Sequence, residues 1–168
     1  GLAVYYILVP SEISSNRARY DGVRFGPKVS NNYEENLIKG RSEFLEDEVK
    51  RRIMIGTYSL SSGYSDQFYK KASKVRTKLK HEFNKVFEEV DALLAPVSPV
   101  TAFKLGEKSN DPLAMYLVDI YTVTANLVGV PSLSIPSGKD KDGMPIGLQL
   151  MGKHFDDELL FEIAKFFQ

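Results

Sequence analysis

The chain contains no cysteine, which excludes a disulfide framework, a thiolate metal site and a thiol nucleophile. Its two histidines, His81 and His154, stand far apart and give no metal-ligand spacing. An excess of charge is missing as well. Twenty-two basic residues balance 22 acidic ones, so no overall field favours nucleic acid, a membrane or an acidic substrate. The longest wholly apolar run, Leu2 to Pro10, is too short to span a bilayer and has neither a basic leader nor a cleavage site. A cytoplasmic location, with no membrane partner, is therefore the expectation. That run also follows Gly1 directly, which points to a fragment of a longer domain.

What is present is ordinary for a soluble domain: 168 residues, 43% hydrophobic and 26% charged. A chain of this length buries roughly 70% of its unfolded surface. Leu2 to about Arg19 can be helical, bent by Pro10. "YDGVRFGPKVSNN" (Tyr20 to Asn32) reads as loop, with Gly, Pro and Asn at close intervals. A helix from about Glu43 to Leu60 carries Leu45, Val49, Ile53 and Gly56 on one side. Phe68, Ala72, Val75, Leu79, Phe83, Val86 and Val90 then recur at spacings of four and three, the stripe of an amphipathic helix.

"DALLAPVSP" (Asp91 to Pro99) is a short apolar run stopped by prolines, consistent with a buried strand. Asp111 and Pro112 form a good helix start, and Gly129 a natural stop. "VPSLSIPSG" and "PIGLQLMGK" predict two more strands, separated by "KDKDG", and a last helix covers about Asp156 to Phe167. Helices interleaved with short apolar strands predict α/β, with a sheet covered on both faces.

Asp119 lies among apolar neighbours in "MYLVDIYTVTANLVG". A buried carboxylate needs a partner. Tyr116, Asp119, Thr122 and Asn126 share one helical face with no Lys, Arg or Glu on it. Two readings of that face stay open: a solvent-facing stripe, or the wall of a polar pocket.

In "EVKRRIMIGTY", Asp47–Arg51 and Glu48–Arg52 have the spacing of surface ion pairs. Arg52 also borders the apolar stripe, where Gly56 leaves space for a guanidinium to hold a carboxylate in bidentate fashion. Tyr69 to Lys85 sets seven basic residues against one acid. That run could touch RNA phosphates, but the stripe beneath it favours a solvated helix face. The serines of "SLSSG" (Ser59 to Gly63) have no base beside them and read as groups that satisfy a helix end.

Several stretches together resemble a known family. "YYILVPSEISSNRARYDGVRFG", "EVKRRIMIGTYSLSSGY", "YKKASKVRT", "LLAPVSP", "DPLAMYLVDIYTVTANLVGVPSLSIPSG" and "PIGLQLMGKHFDDELL" are similar to A subunits of the glutamyl-tRNA(Gln)/aspartyl-tRNA(Asn) amidotransferases, within the amidase-signature hydrolases. The likeness is collinear over nearly the whole chain, and weakest between Gly26 and Glu48. It implies a mixed β-sheet sandwiched between α-helices, of which residues 1–168 form the C-terminal portion.

It also implies hydrolysis of glutamine to glutamate and ammonia. The ammonia passes to the B subunit, which uses ATP and Mg to amidate misacylated Glu-tRNA(Gln) or Asp-tRNA(Asn) in a complex with the C subunit. No cofactor is implied for this chain itself. The family's lysine, cis-peptide serine and nucleophilic serine lie in a Gly/Ser-rich stretch that has no counterpart here, so the chain alone is expected to be inactive. What the resemblance maps onto these residues is glutamine recognition. Arg52 takes the α-carboxylate, Asp119 takes the α-ammonium, and Tyr5 adds a phenolic hydrogen bond, with Tyr6 beside it. Other readings are an amidase acting on small uncharged amides, or a non-catalytic module that contacts RNA.

Overall fold

Proline has no amide N–H and crowds the preceding helical turn, yet the first helix, α1 (Leu2–Arg17), runs through Pro10. The computed structural model describes residues 1–107 and 111–167, and these divide into two units: Tyr6–Lys74, and residues 1–5 with 75 onward.

In the unit Tyr6–Lys74, α1 is followed by α2 (Tyr33–Phe44) and α3 (Asp47–Leu60), and a π-helical turn occupies Asp66–Lys70. The helix expected from about Glu43 thus begins at Asp47, because Leu45 (φ −100°, ψ 122°) is extended and separates it from α2. Sequence reasoning did not assign α2. Its start is nonetheless well formed, since the Asn32 side chain accepts a hydrogen bond from the Glu35 amide at 2.9 Å.

Helices α1 and α3 meet through small residues. A Cβ on Gly56 would lie 1.9 Å from the Pro10 carbonyl oxygen. The space expected beside Gly56 is therefore filled by backbone, which corrects that expectation. Ser11 and Ser59 share a hydroxyl–hydroxyl bond of 2.7 Å, and Ser14 and Thr57 one of 2.8 Å. Ser59 and Ser61 also donate to the carbonyls of Gly56 and Tyr58 at the end of α3, as expected of the serines there.

The loop after α1 is fixed by two buried polar side chains. Asp21 Oδ1 accepts from the amides of Val23 and Arg24, both at 2.9 Å, and Oδ2 takes the Arg24 guanidinium. Asn36 Oδ1 accepts from the amides of Val29 and Ser30, while its Nδ2 donates to the Asp21 carbonyl at 3.0 Å. Gly22 (φ 73°) passes so close that a Cβ would meet Asn36 Nδ2 at 2.2 Å.

The other unit is built on strands whose side chains alternate between two faces. The amphipathic stripe forms α4 (Lys71–Glu89), which leads to β1 (Ala92–Pro96); α5 (Pro112–Val118) and α6 (Thr122–Val128) precede β2 (Ser132–Lys139) and β3 (Pro145–Gly152). The last helix is α7 (Asp157–Ala164), with a 3-10 turn at Lys165–Phe167. The sheet order is β1-β3-β2, and both pairings are antiparallel.

Leu93, Ala95 and Met151 meet Leu79, Phe83 and Phe87 of α4 and Ala125 and Val128 of α6 on one face. Ala92, Leu133, Ile135, Leu148 and Leu150 meet Leu160, Ile163 and Ala164 of α7 on the other. The expectation of a sheet covered on both faces holds. Its pairing among the described residues is antiparallel rather than mixed: the tight turn requires it of β2 and β3, and β1 also runs antiparallel to β3. In that turn Asp140 accepts from the Thr101 hydroxyl at 2.6 Å and from the amides of Met144 and Asp142. Large apolar side chains remain open to solvent, including Leu105, Phe155 and Phe166.

The single helix expected between Asp111 and Gly129 is two helices, and this is the main correction to the expected elements. Its ends are as expected: Asp111 accepts from the Ala114 amide with Pro112 in the first turn, and Gly129 (φ 82°) ends α6. The break falls at Asp119 (φ −87°, ψ 3°), whose carbonyl instead accepts from the amides of Thr122 and Val123 and from the Thr122 hydroxyl.

Candidate functional site

In the unit Tyr6–Lys74, Arg52 projects from the first half of α3, and its side chain is 21% exposed. Its Nε donates to Glu48 at 2.9 Å, and its guanidinium carbon lies 5.4 Å from the centroid of the Tyr6 ring. An aromatic face at that distance attracts the cation and restricts its orientation. Of the two expected pairs, Glu48–Arg52 forms. Asp47 bonds Lys50 instead, and Glu48 also takes Arg51. Residues three and four apart are both neighbours on a helix, so Arg51 can choose either acid. Glu48 thus accepts from both guanidinium groups.

Asp119 belongs to the other unit, at the junction of α5 and α6, and it is exposed. The premise of a buried carboxylate is thus corrected: the break in the helix turns this residue outward. The break also divides the expected polar face. Thr122 and Asn126 remain one turn apart on α6, where Asn126 Nδ2 donates to the Thr122 carbonyl at 3.1 Å. Tyr5 lies in the same unit, in the first turns of α1, with its amide donating to the Gly1 carbonyl at 2.9 Å.

Thr122 and Asn126 do line a pocket. It is a cavity of about 350 Å³ whose other polar walls are Ser132 and Ser134 of β2 and Gln149 of β3, with Val97 among its apolar ones. The polar-pocket reading therefore holds for Thr122 and Asn126, while Tyr116 and Asp119 are not in its wall. Gln149 is 5% exposed and donates from Nε2 to Ser132 Oγ at 2.7 Å. Its Oε1 is buried and meets no hydrogen-bond donor among the described residues. An unsatisfied buried acceptor costs about 1–3 kcal/mol. Sequence reasoning did not single out Gln149. Its signal was a polar residue between Leu148 and Leu150, at a strand position whose side chain faces inward.

The basic run after Tyr69 is a solvated face for the most part, with Lys70, Lys71, Lys74, Lys78 and Lys85 exposed. Arg76 differs: its Nε donates to the Leu127 carbonyl at 2.7 Å and caps the end of α6. No helix among the described residues is long and apolar enough to cross a membrane.

A sequence profile described as Amidase matches residues 1–161, and the chain belongs to that family. Within it, the chain is 53% identical over 170 aligned residues to the A subunit of the glutamyl-tRNA(Gln) amidotransferase of Caldanaerobacter subterraneus subsp. tengcongensis, covering 99% of this chain and 34% of that protein. The A subunit from Trichodesmium erythraeum is 55% identical over 98% of this chain and 34% of its own length. The chain thus spans about a third of the curated relatives it matches. Among solved structures, the A subunit of the Thermotoga maritima glutamyl-tRNA(Gln) amidotransferase is 44% identical, with a TM-score of 0.58 over 79% of this chain and 30% of that one. A structure described as an amidase is 27% identical, with a TM-score of 0.60 over 92% of this chain and 34% of that one.

Proposed function

We propose that these 168 residues are the glutamine-recognising, C-terminal part of the glutaminase subunit of a tRNA-dependent amidotransferase. The observation that carries this reading is 53% identity to the A subunit of a glutamyl-tRNA(Gln) amidotransferase over 99% of the chain. In this reading the residues form one portion of a single amidase-signature domain. The antiparallel strands join a larger mixed sheet between helices, and exposed groups such as Leu105 and Phe155 are covered by the remainder.

Arg52 pairs with the α-carboxylate of glutamine, Asp119 with its α-ammonium, and Tyr5 supplies a phenolic contact. The part-buried guanidinium of Arg52, oriented by Glu48 and the Tyr6 ring, supports the first role, and the exposure of Asp119 supports the second, since an incoming cation can reach its carboxylate. A planar guanidinium suits a carboxylate in bidentate fashion. A site that pairs both charges rejects ligands lacking either one, because its own charge is then left without a partner. The nucleophilic serine, its cis-peptide partner and the lysine come from outside these residues. The ammonia goes to the B subunit, which activates Glu-tRNA(Gln) or Asp-tRNA(Asn) with ATP and Mg in a cytoplasmic complex that includes the C subunit.

The test is calorimetric titration of the purified chain with glutamine, alongside an ammonia assay. The expected result is binding without ammonia release, weakened at least tenfold, about 1.4 kcal/mol, by Arg52→Ala or Asp119→Ala. Ammonia release, or affinity unchanged in both variants, overturns the proposal. Tighter binding of a simple uncharged amide than of glutamine favours the small-amide amidase reading instead.

A further inference from the structure

The unit Tyr6–Lys74 holds a cavity of about 380 Å³ that Arg52, Asp119 and Tyr5 do not line. It opens where the end of α1 and the loop after it meet α2 and the start of α3, and its apolar walls include Tyr20, Phe44, Leu45 and Val49. Hydrogen bonds tie this frame together: Arg41 of α2 donates from Nη1 to the Arg17 carbonyl at 3.0 Å, and Asn36 of α2 donates to the Asp21 carbonyl. Two charged side chains of opposite sign, Arg17 and Glu46, complete the wall. Arg17 is half-buried, with its guanidinium carbon 4.7 Å from the centroid of the Tyr20 ring, and no carboxylate among the described residues pairs with it. Glu46 is exposed and stands at the N-cap of α3 without a side-chain cap bond, and no cation among the described residues pairs with it. Most of this wall lies between Gly26 and Glu46, within the stretch where likeness to the family is weakest.

We propose that this cavity binds an α-amino acid with a large apolar side chain. The ligand's side chain displaces water from Phe44, Leu45 and Val49, its α-carboxylate pairs with Arg17, and its α-ammonium pairs with Glu46. Each wall charge thereby gains a partner that the described residues do not supply. An apolar acid brings Glu46 a second anion, and an apolar amine brings Arg17 a second cation, so each loses one pairing and meets a repulsion. A short amino acid keeps both pairings but forgoes the burial of apolar surface. Glutamine would set its side-chain amide against apolar walls and lose that amide's hydrogen bonds to water. The volume of about 380 Å³ falls within the range of small-molecule pockets, roughly 300–1,000 Å³.

The experiment is an NMR titration of the full 168-residue chain with L-phenylalanine, with 3-phenylpropanoate, 2-phenylethylamine and L-alanine as controls. Phenylalanine is expected to give saturable shifts at the amides of Gly22, Gly26, Gly40 and Leu45. Each control lacks one of the three features and is expected to bind at least tenfold more weakly. Arg17→Gln should weaken phenylalanine at least tenfold but not 2-phenylethylamine, which has no carboxylate. Glu46→Gln should weaken phenylalanine likewise but not 3-phenylpropanoate, which has no ammonium. A Cβ on Gly40 meets only the Pro27 carbonyl oxygen within 4 Å, at 3.7 Å, so Gly40→Leu fills the cavity without disturbing α2 and should abolish the shifts. The proposal is overturned by no saturable shift with phenylalanine, by a control that binds as tightly, or by wild-type affinity in the folded Arg17→Gln or Glu46→Gln chain. Arg52→Ala and Asp119→Ala lie outside the wall and should leave the response intact, so this site and the glutamine site stand or fall separately. Shifts that vanish in either variant place phenylalanine in the glutamine site and overturn the proposal as well.

Discussion

Each of the two units of this chain has an interior of different chemistry. Among the described residues, Tyr6–Lys74 buries Ser11, Asp21, Asn36 and Ser59 but, of its apolar side chains, only Leu8, Pro10 and Ala72. The other unit buries Phe87, Val123, Leu127, Val128, Val130, Ile135, Leu150, Met151 and Leu160, and a single polar side chain, Gln149. One is a polar lock and the other an apolar sandwich. The contrast shows that comparable order can come from many weakly directional contacts or from a few satisfied hydrogen bonds at close backbone approach. It also locates sensitivity: in the first unit single atoms matter, in the second volume does.

The largest effect is expected in the apolar unit. Phe87 packs from α4 onto Leu93, Ala95 and Met151, and Phe87→Ala removes about 3–5 kcal/mol by transfer loss and cavity. Chemical denaturation measures it, and a loss under about 1 kcal/mol would break the sandwich side of the comparison. In the polar unit, Gly56→Ala is expected to destabilise by about 3 kcal/mol, since the new Cβ meets Pro10 at 1.9 Å. In an ordinary helix the same change stabilises by up to about 1 kcal/mol, so the sign alone decides whether close approach matters here. Asn36→Ala leaves the Val29 and Ser30 amides and the Asp21 carbonyl without this partner, and about 2–3 kcal/mol of destabilisation is expected in the same assay.

A smaller, pH-dependent effect sharpens the contrast. The Arg24 and Val23 amides, followed by the Arg24 guanidinium, lower the Asp21 carboxyl to a pKa of about 2 from 3.8. The folded state therefore binds fewer protons than the unfolded one between those values. The contribution is present above pH 3.8 and is lost as pH falls through 2. Denaturation midpoints measured down this range should fall more in the parent than in Asp21→Asn, and parallel curves would remove Asp21 from the lock. The smallest effect is expected at the exposed Asp66–Lys70 pair. Asp66→Ala should change stability by about 0.5 kcal/mol or less, and a larger loss would show that surface charge, absent from the comparison, holds the π-helical turn.

The same contrast explains what could be read from the residues. In the sandwich, the stripe through Leu79, Phe83 and Val86, the strands of "SLSIP" and "GLQLM", and the signals at Pro112 and Gly129 predict elements close to those observed, although Phe87 rather than Val86 is the buried residue of that turn. In the lock, α2 escapes sequence reasoning and Gly56 reads as open space. Its cohesion comes from Asn36 reaching across seven residues to Val29 and from Ser11 reaching 48 residues to Ser59, and neither leaves a periodic trace. The site divides likewise. Arg52, Asp119 and Tyr5 come forward as a set only through resemblance to relatives, whereas the pattern of Thr122 and Asn126 points to a pocket but does not reveal Gln149 in its wall.

The order of residues by itself determined the family, the α/β composition, the start at Asp111 and stop at Gly129, and the two-sided covering of the sheet, because each depends on short-range pattern or on collinear identity. Only the tertiary structure decided that the helix breaks at Asp119, that Pro10 fills the space at Gly56, and that Glu48 takes both arginines. It decided too that Gln149 keeps a buried oxygen with no donor among the described residues. Each of these is a choice among locally equivalent partners, and such choices are settled by which groups arrive within hydrogen-bonding or van der Waals distance once the chain has folded.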